Sequence, residues 1–473
     1  MLNRDWNIKP SFTPLLLGTI IILVCLIIFP IVFLSERFWF IPLSVIGLCL
    51  LVFSVERTLL LMLLITIVIP ASILSDFIFP GGFRLQEVML LIALFFGSID
   101  LIFLRQFEVR RTGIDVAMLC FLLVVILSIG VGYIHGNAPT VIWRDVRFPL
   151  YYVVFFLVTQ FLNREIILQR IVPLIIFSGI VVSLEYVLEF VGAIDLSIGE
   201  RFVRVARLQG MILPLALLLI VAELTFSTKR WSKSVLIFVF IPVGLAFVLT
   251  VGRSMWAAFT IGLISIGLMH FRISRVRRWR SILLVGSVIV FLVAIVMSFQ
   301  RFTGASIGAQ IFERSRTLIQ FEDNVHVLGR IFSYGEAWEE ISNHPIIGHG
   351  QGKTLMLLNY SEELRRFEWV KAWTVDSLYL SILLKMGFLG LIVFLWMYGC
   401  TLLTAWRTFK SADDARIRSF CSAAFSTLVG LSVLGIGNAS LINGRFVLVY
   451  AFIFGCVAVI SRQAKLTEGT NSI

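Results

Sequence analysis

The chain has 473 residues, 59% of them hydrophobic, and carries 40 Lys and Arg against 28 Asp and Glu, a formal net charge of +12. A mean hydropathy of +0.98 excludes an ordinary water-soluble globule, and apolar stretches near the roughly 20 residues that cross a bilayer recur along the sequence. They lack the alternation of a membrane β-barrel, and backbone groups in hydrocarbon must pair within their own segment, so the spans are helices.

In chain order the sequence predicts about fourteen transmembrane helices, near 15–34, 38–54, 58–74, 88–104, 115–133, 147–162, 170–192, 208–226, 235–251, 254–269, 281–298, 375–404, 416–437 and 445–460. MLNRDWNIKP at the start is followed by an apolar run with no small-residue cleavage site, which reads as a retained first span. The expected fold class is all-α and polytopic. Helices 1–11 occupy 1–298, one large loop with amphipathic helices occupies 299–374, and helices 12–14 occupy 375–473. Cys25, Cys49, Cys120, Cys400, Cys421 and Cys456 all fall in apolar runs without metal-site spacing, and read as packing residues.

Short-loop basic residues set the orientation. Arg105, Arg110, Arg111, Lys229, Arg230, Lys233, Arg272, Arg275, Arg277, Arg278, Arg280, Arg407, Lys410, Arg416 and Arg418 cluster at alternate loops, as expected of a cytoplasmic side. Both termini are then cytoplasmic and 299–374 lies outside. The positive charge is mostly this topological bias, so it is no signal for nucleic acid.

The outer segments carry Arg84, Arg144, Arg147, Arg253, Arg330 and Arg445 among other arginines, but of lysines only Lys353 and Lys371. A guanidinium fork suits phosphate oxygens, and an anionic lipid-linked substrate at the outer leaflet would supply a reason for this choice. Arg201, Arg204 and Arg207 are spaced by three, so a helical approach to the 208–226 span would set them on one face. Residues 235–269 leave room for only a tight turn at Gly252, which puts Arg253 at or below the outer interface. A charge there needs a partner or water; the bland alternative is snorkelling to headgroups.

Within the large loop, Ile331, Tyr334, Trp338 and Ile341 recur at helical spacing, giving an amphipathic helix with Arg330 at its first turn, ended by Asn343 and Pro345. Gly348, Gly350 and Gly352 then form a GxGxG stretch without the preceding strand of a dinucleotide site, so it reads as backbone in close approach or at positive φ. A second amphipathic helix, NYSEELRRFEWVKAW, leads to Asp376, where the apolar segment DSLYLSILLKMGFLGL opens. Asp376 is either a chemical group or a helix cap. Lys385, deep in that segment, must face a partner or a wet cavity. His344, His349 and Tyr379 are candidates for acceptor binding. The two histidines lack the three or four converging ligands of a metal site, while His135 and His326 have no motif around them. Asp413 and Asp414 read as a solvated cytoplasmic turn.

The order of Arg207 before a span, the GRS turn at Arg253, Arg330 with Trp338, NHPIIGHGQG and then DSLYLSILLKMGFLGL resembles the O-antigen ligase and O-antigen or exopolysaccharide polymerase superfamily. The resemblance covers roughly residues 200–400. It implies a GT-C-type membrane glycosyltransferase in the bacterial cytoplasmic (inner) membrane, with its active site facing outward. The substrate it implies is a glycan on undecaprenyl diphosphate, transferred with inversion and without metal or cofactor. Arg204, Arg207, Arg253 and Arg330 become the diphosphate clamp, and Asp376 with Arg253 and Arg330 the catalytic set. Ligases of the family usually carry His where this chain has Asp376, which favours a polymerase joining lipid-linked repeats, with a ligase acting on lipid A-core as the alternative. Lys385 is a further departure, since many members carry Glu there. The implied partners are the lipid-linked oligosaccharide, the bilayer and, as a candidate protein, a chain-length regulator. A lipid-oligosaccharide flippase would share the topology, but should show internal repeats, broken helices and midplane charges.

Overall fold

The structure, a computed structural model, describes residues 54–70, 73, 74, 78, 79, 82–104, 108–190, 208–226, 230–250, 252–273, 286, 288–290, 292, 294, 297, 325–361 and 366–470. The expected spans 15–34 and 38–54 lie outside these residues, except position 54, and 281–298 is described only at isolated positions. The chain divides after Thr58, and the unit Leu59–Ile473 carries every site considered below.

The elements run α1 (Val55–Val68), a minimal antiparallel pair β1 (Ile78–Phe79) and β2 (Phe83–Arg84), α2 (Leu85–Ile99), α3 (Asp115–Ile134), α4 (Pro139–Leu150), α5 (Val154–Phe161) and α6 (172–190 with its lead-in from Arg164). Then come α7 (Ile212–Phe226), α8 (Arg230–Leu249), α9 (Arg253–Ile273), α10 (Val325–Asn343), the hairpin β3 (Leu355–Ser361) and β4 (Arg366–Ala372), α11 (Leu378–Ser411), α12 (Ala415–Leu434) and α13 (Phe446–Thr470). Among the described residues, eight helices are long and apolar enough to cross a membrane: α2, α3, α6, α7, α9, α11, α12 and α13, some with adjoining turns. The expected 147–162 span is instead α4 and α5 joined by a 3-10 turn at Tyr151–Val153.

The bundle is held by close backbone approach, as expected where lipid removes the hydrophobic drive between helices. α7, α9 and α11 all pack on α12. A Cβ on Gly430 of α12 would meet the Ala258 carbonyl of α9 at 2.4 Å, and one on Gly262 would meet Leu218 at 2.8 Å. Ser419, Ser422, Ser426 and Ala423 keep the rest of α12 thin and buried.

Two local expectations are corrected. The second amphipathic helix of the large loop is a β-hairpin, with Leu355 opposite Ala372 and Ser361 opposite Arg366. Its period is two, not 3.6: Leu355 and Leu357 are buried while Met356 between them is exposed. The first amphipathic helix does form and ends at Asn343, but it begins at Val325, so Arg330 lies in its second turn. Its buried face is Ala337 and Ile341 with Tyr334 alongside, packed on Leu355, Val375 and Leu384. Ile331 and Trp338 face outward.

α11 is not continuous. Gly387 breaks it at φ 63°, ψ −166°, and the glycine-rich loop is stitched into the break. The amides of Phe388 and Leu389 donate to the carbonyls of Pro345 and Ile346, and the His349 amide donates to Leu384. Non-helical backbone within a membrane span is tolerated where protein covers it or where it lines a water-filled cavity.

Candidate functional site

One end of the bundle gathers the loops that carry the predicted residues. The tip of α3, the start of α4, the 344–353 loop, the entry to α11 and the 435–445 loop meet there through hydrogen bonds. Asn137 donates to the carbonyls of His349 and Gln351. Gln351 donates through its amide to the Ser128 hydroxyl, and Leu378 donates to Gly435.

The glycine loop is the joint. Gly348, Gly350 and Gly352 have φ of 69°, 78° and 84°, left-handed values that side chains rarely adopt. Each also lies where a Cβ would collide. At Gly350 it would stand 2.0 Å from the Gly132 nitrogen of α3, and at Gly348 2.7 Å from the Gly387 nitrogen in the break of α11. The sequence reading of this motif as backbone in close approach and at positive φ is what the geometry shows.

Asp376 and Arg330 come together beside this joint. The Arg330 Nε lies 3.9 Å from Asp376 Oδ2, with the side chains 49% and 69% exposed, so the pair faces solvent. Asp376 does not cap α11. That role belongs to Ser377, whose side chain accepts from the Leu380 amide. The Tyr334 hydroxyl lies 2.9 Å from the Asp376 carbonyl and 3.0 Å from that of Ile436, and donates to one or the other. It thereby ties α10 either to the entry of α11 or to the 435–445 loop. Burial, with Asp376 acting in the same direction and Arg330 against it, raises the Tyr334 pKa and keeps it a donor.

The other predicted residues divide. Arg253 opens α9, but its side chain lies outside the described residues, as do Arg201, Arg204 and Arg207 entirely. The Tyr379 hydroxyl donates to the Ser432 carbonyl at 2.7 Å, joining α11 to α12. His349 is buried; its Nε2 lies 2.9 Å from the Glu340 carbonyl oxygen and 3.3 Å from Glu340 Oε2. Burial pushes its pKa down from the ordinary histidine value, partly offset by Glu340. Glu340 also accepts from Lys353 at 2.9 Å, which holds its carboxyl below the usual range. His344 is exposed and packs edge-on between His135 and His349, 4.6 Å from each by ring centre. Among the described residues no group of three or more His, Cys, Asp or Glu is placed to hold a metal ion.

Lys385 has the partner that its depth demands. Its Nζ lies 2.9 Å from Asp145 Oδ2, with side chains 7% and 0% exposed. The same carboxylate accepts from the Gly352 amide at 2.9 Å, so α4, the glycine loop and α11 converge on one buried acid. Beside it the Arg144 guanidinium lies 4.5 Å above the Trp373 ring. Sequence reasoning did not single out Asp145. The available signal was indirect: an intramembrane lysine requires a carboxylate, and RDVR is one of few acidic positions in the outer segments. His135 was equally silent, since nothing local announces a histidine that meets two others more than 200 residues away.

Residues 236–395 match the family described as O-antigen ligase. This segment includes Arg253, Arg330, the glycine loop, Asp376 and Lys385, and leaves out Arg207, Asp145 and Arg445. No curated protein matches the chain. A solved structure from work on "Structural coordination of polymerization and crosslinking by a peptidoglycan synthase complex" is 15% identical, with a TM-score of 0.43 over 73% of this chain and 97% of that one. The matched segment spans most of α8, all of α9, the glycine loop and the first part of α11, and over those residues the chain is similar to the O-antigen ligase family.

Proposed function

We propose that the protein is an O-antigen or exopolysaccharide polymerase, transferring an undecaprenyl-diphosphate-linked glycan to another lipid-linked repeat at the outer face of the bacterial cytoplasmic membrane. The observation that carries this reading is the Arg330–Asp376 pair: a solvent-facing carboxylate beside a guanidinium, at the end of the bundle where α9 also begins with Arg253. In the reaction, a hydroxyl of the acceptor sugar attacks the anomeric carbon, and the new C–O bond forms as the bond from that carbon to the diphosphate breaks. The electron pair leaves with the diphosphate, where Arg253 and Arg330 offset the developing charge. Asp376 takes the proton of the attacking hydroxyl. Attack opposite the leaving group inverts the anomeric carbon. Arg204 and Arg207 belong to the same clamp, and His344, His349 and Tyr379 to the acceptor side.

The test is transfer by purified protein given undecaprenyl-diphosphate-linked repeat units alone, with and without EDTA. A ladder of lengthening lipid-linked glycans, indifferent to EDTA and lost in Arg253→Ala and Asp376→Asn, is expected. Transfer only when lipid A-core is added would identify a ligase. Movement of intact lipid-linked glycan without bond formation would overturn the enzymatic reading. An Asp376→Asn protein with full activity would remove the general base.

A further inference from the structure

The sequence places the glycine loop outside the membrane, yet Ile346 and Ile347 on it are 71% and 47% exposed. Helix lengths fix the level at which they stand. α3 begins and α11 ends at one basic end of the bundle. There Arg462 of α13 donates to the Arg110 carbonyl just ahead of α3, the Gln463 side chain accepts from the Arg164 amide, and Arg164 pairs with Asp414 just past α11. Trp406 lies against Arg272 and Lys410 at this end, as an aromatic does at a headgroup boundary. About twenty residues of helix rise about 30 Å, the thickness of the hydrocarbon. α3, with 20 residues, reaches that height at Ile134. Counted from Trp406, α11 reaches it beside the break at Gly387. Both points meet in the glycine loop, with Gly350 against Gly132 of α3 and Gly348 against Gly387.

The surface changes character at the same level. Below it, Leu119, Leu123 and Ile126 of α3 and Leu389, Ile392 and Trp396 of α11 are exposed, the outward apolar faces that lipid covers on membrane spans. Above it, Ser381 to Gly387 of α11 are buried under protein. Where the chain crosses this level it switches from apolar to polar. Ile134, 84% exposed, is followed by the exposed His135, and Ile346 and Ile347 follow the exposed Ser342, Asn343 and His344, with Pro345 between. The His135 and His344 rings lie 4.6 Å apart, so the two switch points are side by side. The Leu389 amide donates to the Ile346 carbonyl, which sets the isoleucines at the head of the lipid-facing stripe of α11.

We propose that Ile134, Ile346 and Ile347 lie among the acyl chains of the outer leaflet, and that the glycine loop is a re-entrant anchor instead of a free extracytoplasmic loop. The occupant is lipid because the patch runs without interruption into the sides of two spans. A surface built for a second protein is rimmed by polar residues on all sides. The anchor also sets the height of the candidate site: α11 runs from Gly387 up to Leu378, a rise of up to about 14 Å that carries Arg330 and Asp376 clear of the hydrocarbon. The inference is independent of the reaction, and it rests on the proposed orientation only for which leaflet is meant.

Depth is measured on the full chain in phosphatidylcholine nanodiscs, which leave both faces open. A nitroxide is attached to Ile346→Cys and Ile347→Cys, with Ile392→Cys as the lipid-facing reference and Ser342→Cys as the aqueous one, and the signal of wild type treated alike is subtracted. Relaxation by oxygen relative to a water-soluble nickel chelate should be several-fold higher at 346, 347 and 392 than at 342, since oxygen partitions into hydrocarbon and the chelate does not. Ile347→Trp repeats the measurement without a label, and should show quenching beyond that of wild type in lipids brominated high on the acyl chain. Ratios at 346 and 347 equal to that at 342, or no added quenching in Ile347→Trp, overturn the proposal. So does shielding of both labels from oxygen and nickel alike, which would mean that protein covers the patch. In right-side-out membrane vesicles a membrane-impermeant thiol reagent should reach Ser342→Cys from outside. If it reaches that position only from the inner face while the depths hold, the anchoring stands, but the outer leaflet falls together with the proposed outward-facing function.

Discussion

At the scale of the residue, the question about Asp376 is whether it works as a carboxylate or as the start of a helix. The geometry separates the two roles between neighbours: Ser377 caps α11 through the Leu380 amide, while the Asp376 side chain faces solvent and Arg330. Ser377→Ala should therefore cost about 1 kcal/mol of stability, the usual loss of an N-cap. Asp376→Asn, exposed and outside the cap, should stay within about 0.5 kcal/mol of wild type. Detergent-solubilised unfolding midpoints of the two variants, read beside their transfer rates, check this. The expected result is a crossed pattern, with Ser377→Ala less stable and active, and Asp376→Asn stable and inactive. A stability loss in Asp376→Asn as large as in Ser377→Ala would return the aspartate to a structural role. The helix that carries the neighbouring Arg330 was legible from sequence, although Ile331 and Trp338 of its expected apolar stripe face outward. Tyr334 was legible only as a member of the apolar stripe, and its contribution comes from a hydroxyl that reaches two carbonyls from other elements.

At the scale of the element, the glycine loop joins two helices that sequence places far apart. Gly350→Ala meets two obstacles, a φ of 78° and backbone atoms of Gly132 at 2.0 Å from the added carbon. Gly136 offers the control. Its φ is 70°, but nothing lies within 4 Å of an added Cβ. Gly136→Ala should cost about 1 kcal/mol for conformation alone, whereas Gly350→Ala must also separate α3 from the loop and should lower stability by about 3 kcal/mol or more. Thermal unfolding in detergent, with hydrogen exchange of residues 344–352 as the local readout, distinguishes the two; equal costs would mean that the loop is not wedged against α3. This element was legible because a GxGxG motif has few physical explanations once a phosphate loop is set aside. The hairpin was not. Its sequence carries aromatic and charged residues at spacings compatible with either period, and what decides is burial of Leu355 and Leu357 against Ala337 and Ile341 of α10, a tertiary contact that local pattern does not encode.

At the scale of the whole molecule, eight of the fourteen expected spans coincide with helices long and apolar enough to cross a bilayer, whose thickness imposes a length on each, while 58–74 and 235–251 meet shorter helices; the pairing between spans was not legible, since lipid-embedded helices choose partners by close contact and scattered polar groups. The Asp145–Lys385 pair shows what that choice achieves. It connects α4, from the part of the chain ahead of the family match, to α11 within the match, and through the Gly352 amide it includes the loop between them. Removing one partner leaves an unpaired buried charge, so Lys385→Met alone should cost about 3–5 kcal/mol. Asp145→Asn alone strands the ammonium and should cost a similar amount, although asparagine can still accept from Gly352. The double variant buries no charge at all. It should recover most of the loss, giving a coupling energy of about 2 kcal/mol or more in a double-mutant cycle read from unfolding midpoints. Additive costs would mean that the two groups do not depend on each other. If the cycle closes as expected and the double variant still transfers glycan, the pair serves to hold the two halves of the bundle in register. Loss of transfer in a double variant of restored stability would instead place a charge from this pair in the reaction, since packing alone would then have been repaired without repairing the chemistry.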